Sequence, residues 1–158
     1  MKAEGSRAVR RPALALEIQL ATRSRRAPAA ARLRRWARAS LGRPADVTLR
    51  IVGEREGEAL NREYRGKSYA TNVLAFCYRH KGRISGDIVL CAPVVVREAR
   101  AQGKPLEAHY AHLTVHGLLH LQGYDHDNYR RARIMETREV AILRRLGFPD
   151  PYLTPTSR

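Results

Sequence analysis

Apolar and polar residues alternate first at 14–20, where Leu14, Leu16, Ile18 and Leu20 share one face. A period of two predicts a half-buried strand. The pattern then changes in "PAAARLRRWARASLG", which opens at Pro28 and ends at Gly42. Leu33, Trp36, Ala37 and Leu41 recur there at helical spacing, so a helix is predicted with Trp36 in the core. Alternation returns in "DVTLRIVG" with Val47, Leu49 and Ile51, and a short helix is predicted over about 54–64. Two β-rich runs follow, "TNVLAFCY" and "GDIVLC", separated by the basic turn "RHKGRIS"; they read as a hairpin. Gly86 and Asp87 then shape the start of its second strand. Three helices complete the chain, from Pro93 to Gly103, from Pro105 to Gly123, and over about 128–146.

The order βαβαββααα predicts an α+β domain built on a small mixed sheet of about four strands with helices around it. A chain of 158 residues suffices for one core, expected over 13–152. Residues 1–12 read as a basic, disordered arm, and 153–158 as a flexible tail. Cys77 and Cys91 both fall in apolar strand-like runs, which makes them buried free thiols and not a disulfide framework.

Charge changes the picture more than hydrophobicity does. Thirty Lys and Arg face fifteen Asp and Glu, for a net charge of +15. An Arg-preferring genome would give this excess too, but it also fits a polyanionic partner, nucleic acid or an anionic membrane. In the first forty residues eleven Lys and Arg are opposed by Glu4 and Glu17 alone, as in a transit peptide. The strand-like "ALALEIQLAT" argues instead that the fold begins there. No apolar run reaches the length of a membrane span, and a cytoplasmic protein with no membrane partner is expected.

The candidate chemistry lies on the helix that ends at Gly123. His109, His112, His116 and His120 recur every three or four residues and share a face. His112 and His120 are separated by ~12 Å along a helix axis. Ligand nitrogens sit about 2.0–2.1 Å from a zinc ion, so one ion takes only one i, i+4 pair. Gly123 tolerates a reversal that returns His126 toward His116 and His120. These three form the expected metal triad, and three histidines with an open fourth position suit a reactive zinc. His112 reads as a packed histidine beside the triad, and His109 and His80 as solvated. Asp125 and Asp127 flank His126; they could orient it or cap the last helix, with Asn128 as the other cap candidate. The string "HGLLHLQGYDH" matches a zinc-peptidase spacing, but Gly117 stands where a peptidase carries its glutamate base.

That string, together with "LNREYRGKSYATNVLAF" and "GDIVLC", resembles the YbeY family of bacterial endoribonucleases, from about residue 13 to "LGFPDPY". The resemblance implies an α+β fold and one zinc ion held by His116, His120 and His126. It implies a functional Arg65 in the "NREYR" block, with Arg65 and His116 carrying the catalysis. It also implies cleavage of single-stranded RNA, action at the 3′ end of 16S rRNA, and ribosome quality control alongside the small subunit and its assembly factors. Ala75 stands where the family often has Ser. On the residues themselves, Arg65 suits a bidentate grip on phosphate, and Asn61 and Tyr64 would position its loop. Lys67, Arg79, Lys81 and Arg83 would extend a basic groove, with Tyr69, Tyr78 and Tyr124 as candidate base-stacking rings. Two other readings remain: a zinc-containing RNA-binding assembly factor without nuclease activity, and a metallopeptidase.

Overall fold

The structure is a computed structural model that describes residues 13–153 other than Lys81. The expected basic arm and most of the expected tail lie outside the described residues. Strands β1 (Leu14–Ala21), β2 (Ala45–Val52), β3 (Val73–His80) and β4 (Arg83–Cys91) alternate with helices α1 (Ala30–Ala39) and α2 (Glu54–Arg65). Helices α3 (Ala92–Gln102), α4 (Leu106–Leu121) and α5 (Tyr129–Arg145) follow in succession. This is the element order that the hydrophobic pattern predicts.

The four strands form one sheet in the order β1-β2-β4-β3. β1 and β2 pair in parallel, as do β2 and β4, while β3 returns antiparallel on β4. The sheet is therefore mixed, with β1 and β3 at its edges. The hairpin turn is much tighter than the sequence suggests, because His80 already pairs with Arg83. Gly82 takes a positive φ of 73° there, which a glycine adopts without Cβ strain.

Alternation along β2 and β4 sorts the core. Val47, Leu49, Ile51, Ile84, Ile88 and Leu90 pack with Leu33 and Trp36 of α1 and with the apolar residues of α4. Val52, Val89 and Cys91 point the other way and pack with Leu74, Val94 and Leu60. Helix α4 is covered on almost every side, including Tyr110, Ala111, Leu118 and Leu119. Away from its histidine face, such coverage is that of a helix at the centre of a core.

Helix α4 lies unusually close to β4. A Cβ at Gly117 would stand 3.1 Å from Cγ2 of Ile88. A Cβ at Gly86 would meet Leu121 Cδ2 at 2.6 Å and would also press on the Phe76 carbonyl. Gly86 is thus a packing residue in mid-strand, not the start of one. Three other expectations change. Leu20 is 56% exposed, because β1 is an edge strand. Cys77 is exposed for the same reason on β3, while Cys91 is the buried thiol. His109 is 4% exposed, not solvated, because α4 is the central helix; its Nε2 lies 2.9 Å from the Glu98 carboxylate.

The Gly86→Ala variant tests the close approach. It should lose stability at the upper end of the roughly 1–3 kcal/mol typical of overpacking, read by chemical denaturation. A variant as stable as the parent would show that β4 and α4 have room to separate.

Candidate metal centre

The second half of α4 faces the edge strand β3, and the groove between them is closed at its ends by α2 and by the loop after α4. A cleft of about 160 Å³ results. It is lined by Arg65, Thr71, Asn72, Val73, Ala75, His116, Gly117, His120 and His126. The four residues singled out in the sequence therefore meet around one space. None of the lining residues is a carboxylate.

Local structure explains each placement. The last turn of α4 closes with Gln122 N–H donating to Leu119 and Tyr124 N–H to the same carbonyl. Gly123 then adopts φ 97° and reverses the chain. Asp125 accepts from the Asp127 backbone N–H and from Arg131, which holds the returning loop. Asn128, not Asp127, caps α5 by accepting from Arg131 N–H at 2.9 Å. His126 comes back to within 5.7 Å of the His116 ring centroid and 5.9 Å of that of His120, and His116 and His120 are 6.0 Å apart. The three rings form a nearly equilateral triangle.

The hydrogen bonds orient two of these rings. His120 donates from Nδ1 to the Tyr124 carbonyl at 2.9 Å. Burial, followed by the nearby His116, lowers its pKa and favours the neutral imidazole. The Nδ1 of His116 lies 3.1 Å from Glu139 Oε2. With both Nδ1 atoms occupied, the Nε2 lone pairs of His116 and His120 are left as donors toward the cleft they line. His126 is exposed and makes no hydrogen bond among the described residues.

Glu139 is the residue that sequence reasoning missed. It is 1% exposed on α5, and Tyr152 donates to its Oε1 at 2.6 Å. Its Oε2 lies 3.0 Å from His112 Nε2 as well as 3.1 Å from His116. Burial pushes this carboxyl up, but the bonds to His112, His116 and Tyr152 outweigh it and hold the pKa down at about 2. Ligand-type atoms of His112, His116 and Glu139 lie within 4.8 Å of one another, so this corner of α4 has the composition of a metal site. The expectation of a packed His112 beside the triad agrees with this network.

Arg65 ends α2, and Gly66 caps the helix at φ 69°. Buried Asn61 donates from Nδ2 to the Tyr69 carbonyl at 2.6 Å and so ties the following loop to the helix. Tyr64 packs on Phe76 of β3 with centroids 4.7 Å apart. Of the cations expected to extend the groove, Arg83 does not reach it. Arg83 is bonded to Asp46 at 3.0 Å and starts β4 at the end remote from the cleft. Lys81 and the side chain of Arg79 lie outside the described residues. Tyr78 donates to Asp87, Tyr124 packs on the core, and Tyr69 remains 59% exposed.

Comparison with known proteins places the chain. The profile of the family described as Endoribonuclease YbeY matches residues 19–147. A protein of Aromatoleum aromaticum named Endoribonuclease YbeY is 54% identical over 153 residues, covering 96% of this chain and 99% of that one. One of the same name from Nitrosomonas europaea is 59% identical over 120 residues, covering 76% and 73%. A solution structure of a Thermotoga maritima protein shares the fold with a TM-score of 0.53 at 23% identity, over 90% of this chain and 99% of its own. The chain belongs to the YbeY family.

Glu139→Ala should cost about 1–3 kcal/mol, because it leaves His112 Nε2, His116 Nδ1 and the Tyr152 hydroxyl without their shared acceptor. Tyr152→Phe should cost about 1 kcal/mol, the worth of one hydrogen bond. Urea titrations of the metal-stripped protein decide both. A Glu139→Ala change of under roughly 0.5 kcal/mol, the range of surface substitutions, would mean that the carboxylate does not hold this corner together.

Proposed function

We propose that this YbeY-family chain is a zinc-dependent endoribonuclease acting on single-stranded ribosomal RNA. We place the cut at the 3′ end of 16S rRNA, within small-subunit maturation and ribosome quality control in the cytoplasm. Assembly factors of the small subunit are its expected partners. Residues 13–152 would be one domain carrying the whole activity. The name that its relatives carry supports RNA cleavage, and the charge of +15 suits a polyanionic substrate. Among the described residues no helix is long and apolar enough to cross a membrane.

One observation carries the reading: Arg65, His116, His120 and His126 line a single small cleft that contains no carboxylate. His116, His120 and His126 would hold the zinc through nitrogen donors, and their number leaves a coordination position open. When bound, the ion supplies a Lewis acid for a phosphoryl oxygen and a water whose pKa lies near 7. The protein's own groups do the rest. Arg65 would take two non-bridging phosphate oxygens in a bidentate grip and oppose the negative charge that grows in the transition state. Asn61 holds the loop after it in place. Glu139 fixes the rotation and tautomer of His116 from behind, through Nδ1. Ala75 leaves space in the cleft where a larger side chain would fill it. Exposed Tyr69, on the loop tied to Asn61, offers a face for an unpaired base.

The peptidase reading lacks its base. Gly117 has no side chain, and the nearest network carboxylate, Glu139, bonds to the Nδ1 side of His116, away from the cleft.

Arg65→Ala should lower cleavage of a labelled rRNA precursor by about 10²–10³ fold with zinc content unchanged, and Arg65→Lys should restore only part of it. His116→Ala and His120→Ala should lose both zinc and cleavage, measured by metal analysis beside the same assay. Nuclease-free wild-type protein that binds the precursor and never cuts it would favour the non-catalytic assembly factor.

A further inference from the structure

A second concave surface lies away from the cleft, between α1 and the end of α5. It encloses about 480 Å³, and its walls carry Arg34, Arg35, Arg38 and Arg145 above Ala39 and Leu146. No carboxylate lines it. Elsewhere the scarce acids are placed against arginines: Arg32 with Glu107, Arg50 with Glu56, Arg62 with Glu58, Arg83 with Asp46, Arg97 with Glu54 and Arg131 with Asp125. In the groove, Arg34 alone has a polar partner among the described residues, the Leu16 carbonyl.

Two features make this more than the average of a basic chain. Arg34 and Arg38 are half-buried and one turn apart on α1, so their like charges repel at close range, and neither makes an ion pair among the described residues. That arrangement costs free energy in the isolated protein and is relieved by an anion. The groove is also rigid. Leu33, Trp36 and Ala37 bury the opposite face of α1, and Trp36 packs edge-on against Phe148 at 5.9 Å, which pins the end of α5 to α1.

We propose that this groove is an exosite that grips the phosphate backbone of the RNA substrate at a point remote from the cut. The inference rests on the RNase reading of the cleft. The groove sits at the C-terminal end of α5, whereas His126 precedes its N-terminal end. A helix of 17 residues separates them, which is ~25 Å at 1.5 Å per residue. A phosphate in the groove is therefore not the scissile one, and a ligand that fills both sites is a long polyanion. Planar guanidiniums at fixed positions suit phosphate diesters, each bound without reference to base sequence. The groove thus favours long rRNA over fragments.

The triple variant Arg35→Ala/Arg38→Ala/Arg145→Ala tests this and spares Arg34, which bonds to β1. Two probes are used, a short oligoribonucleotide that fills only the cleft and a long unstructured RNA. Affinity for the long RNA should fall at least about tenfold near physiological salt, and the slope of log K against log salt should flatten by about 2, from about 0.7 per lost contact on single strands. Cleavage of the short probe should be unchanged. A control triple, Arg55→Ala/Arg97→Ala/Arg100→Ala, removes equal charge from α2 and α3 and should leave long-RNA affinity within about twofold of wild type, as for the small effect of surface changes. Equal losses in the two triples, or unchanged long-RNA binding in the groove variant, would overturn the exosite. Loss of binding to polyglutamate with RNA binding retained would instead mark the groove as a dock for an acidic protein. Should wild type fail to cut either RNA, the reading of the cleft falls, while the binding comparison still decides the groove. If the triple melts early, the double variant Arg35→Gln/Arg145→Gln, on exposed positions, carries the same comparison.

Discussion

The contact between α4 and β4 governs the rest of the molecule. Two glycines, Gly117 on the helix and Gly86 on the strand, let backbones approach until Ile88 and Leu121 fill the space that Cβ atoms would need. This sets the depth of the second half of α4 in the fold. It therefore sets where His116 and His120 stand relative to edge strand β3, whose Val73 and Ala75 form the opposite wall of the cleft. A helix held farther out would widen the cleft and carry its histidines away from Arg65. Packing density thus acts directly on the chemistry, since interiors transmit small volume changes with little slack.

A second constraint works from behind. Burying an ionised carboxylate is costly unless its oxygens are satisfied. Glu139 meets that demand with bonds to His112, His116 and Tyr152. The arrangement couples α4, α5 and the residues after α5, because Tyr152 belongs to the segment that also carries Phe148 onto Trp36 and the Pro151 carbonyl onto Lys104. Removing the carboxylate would release both a ring of the triad and the anchor of the chain's end. Fold and site share this one group.

Much of this was legible in the chain, for identifiable reasons. Alternation in "DVTLRIVG" and helical spacing in "PAAARLRRWARASLG" report burial against a single surface, and those elements appear as expected. The His116 and His120 spacing followed by Gly123 encodes a local reversal, so the approach of His126 could be read without knowing the fold. Properties fixed by distant partners were not legible. Glu139 looks like a solvated acid in "METREV", and only the packing of α5 on α4 buries it. His109 shares the face of His116 in sequence, yet its burial depends on Glu98 of α3. Cys77 and Leu20 have core-like surroundings in the chain but lie on edge strands, and edge position follows from strand order. Arg83 belongs with the cleft only if the hairpin loop is long; the tight turn carries it to the far end of the sheet.

Gly117 now has two meanings that the sequence presents as one. As an absence, it removes the glutamate that a zinc peptidase of this spacing requires. As a packing element, it lies 3.1 Å in projected Cβ distance from Ile88 and permits the depth of α4. The second explains why the first is not simply reversible. A glutamate at 117 would bring its Cβ to 3.1 Å from Ile88, so Ile88 or α4 would have to give by a few tenths of an ångström, and α4 is the helix that carries His116 and His120. The glycine thus serves a close helix–strand contact at the position where a peptidase of this spacing carries its base. In a cleft without that base, Arg65 supplies the remaining charge, and a positive group suits a phosphodiester far better than a peptide.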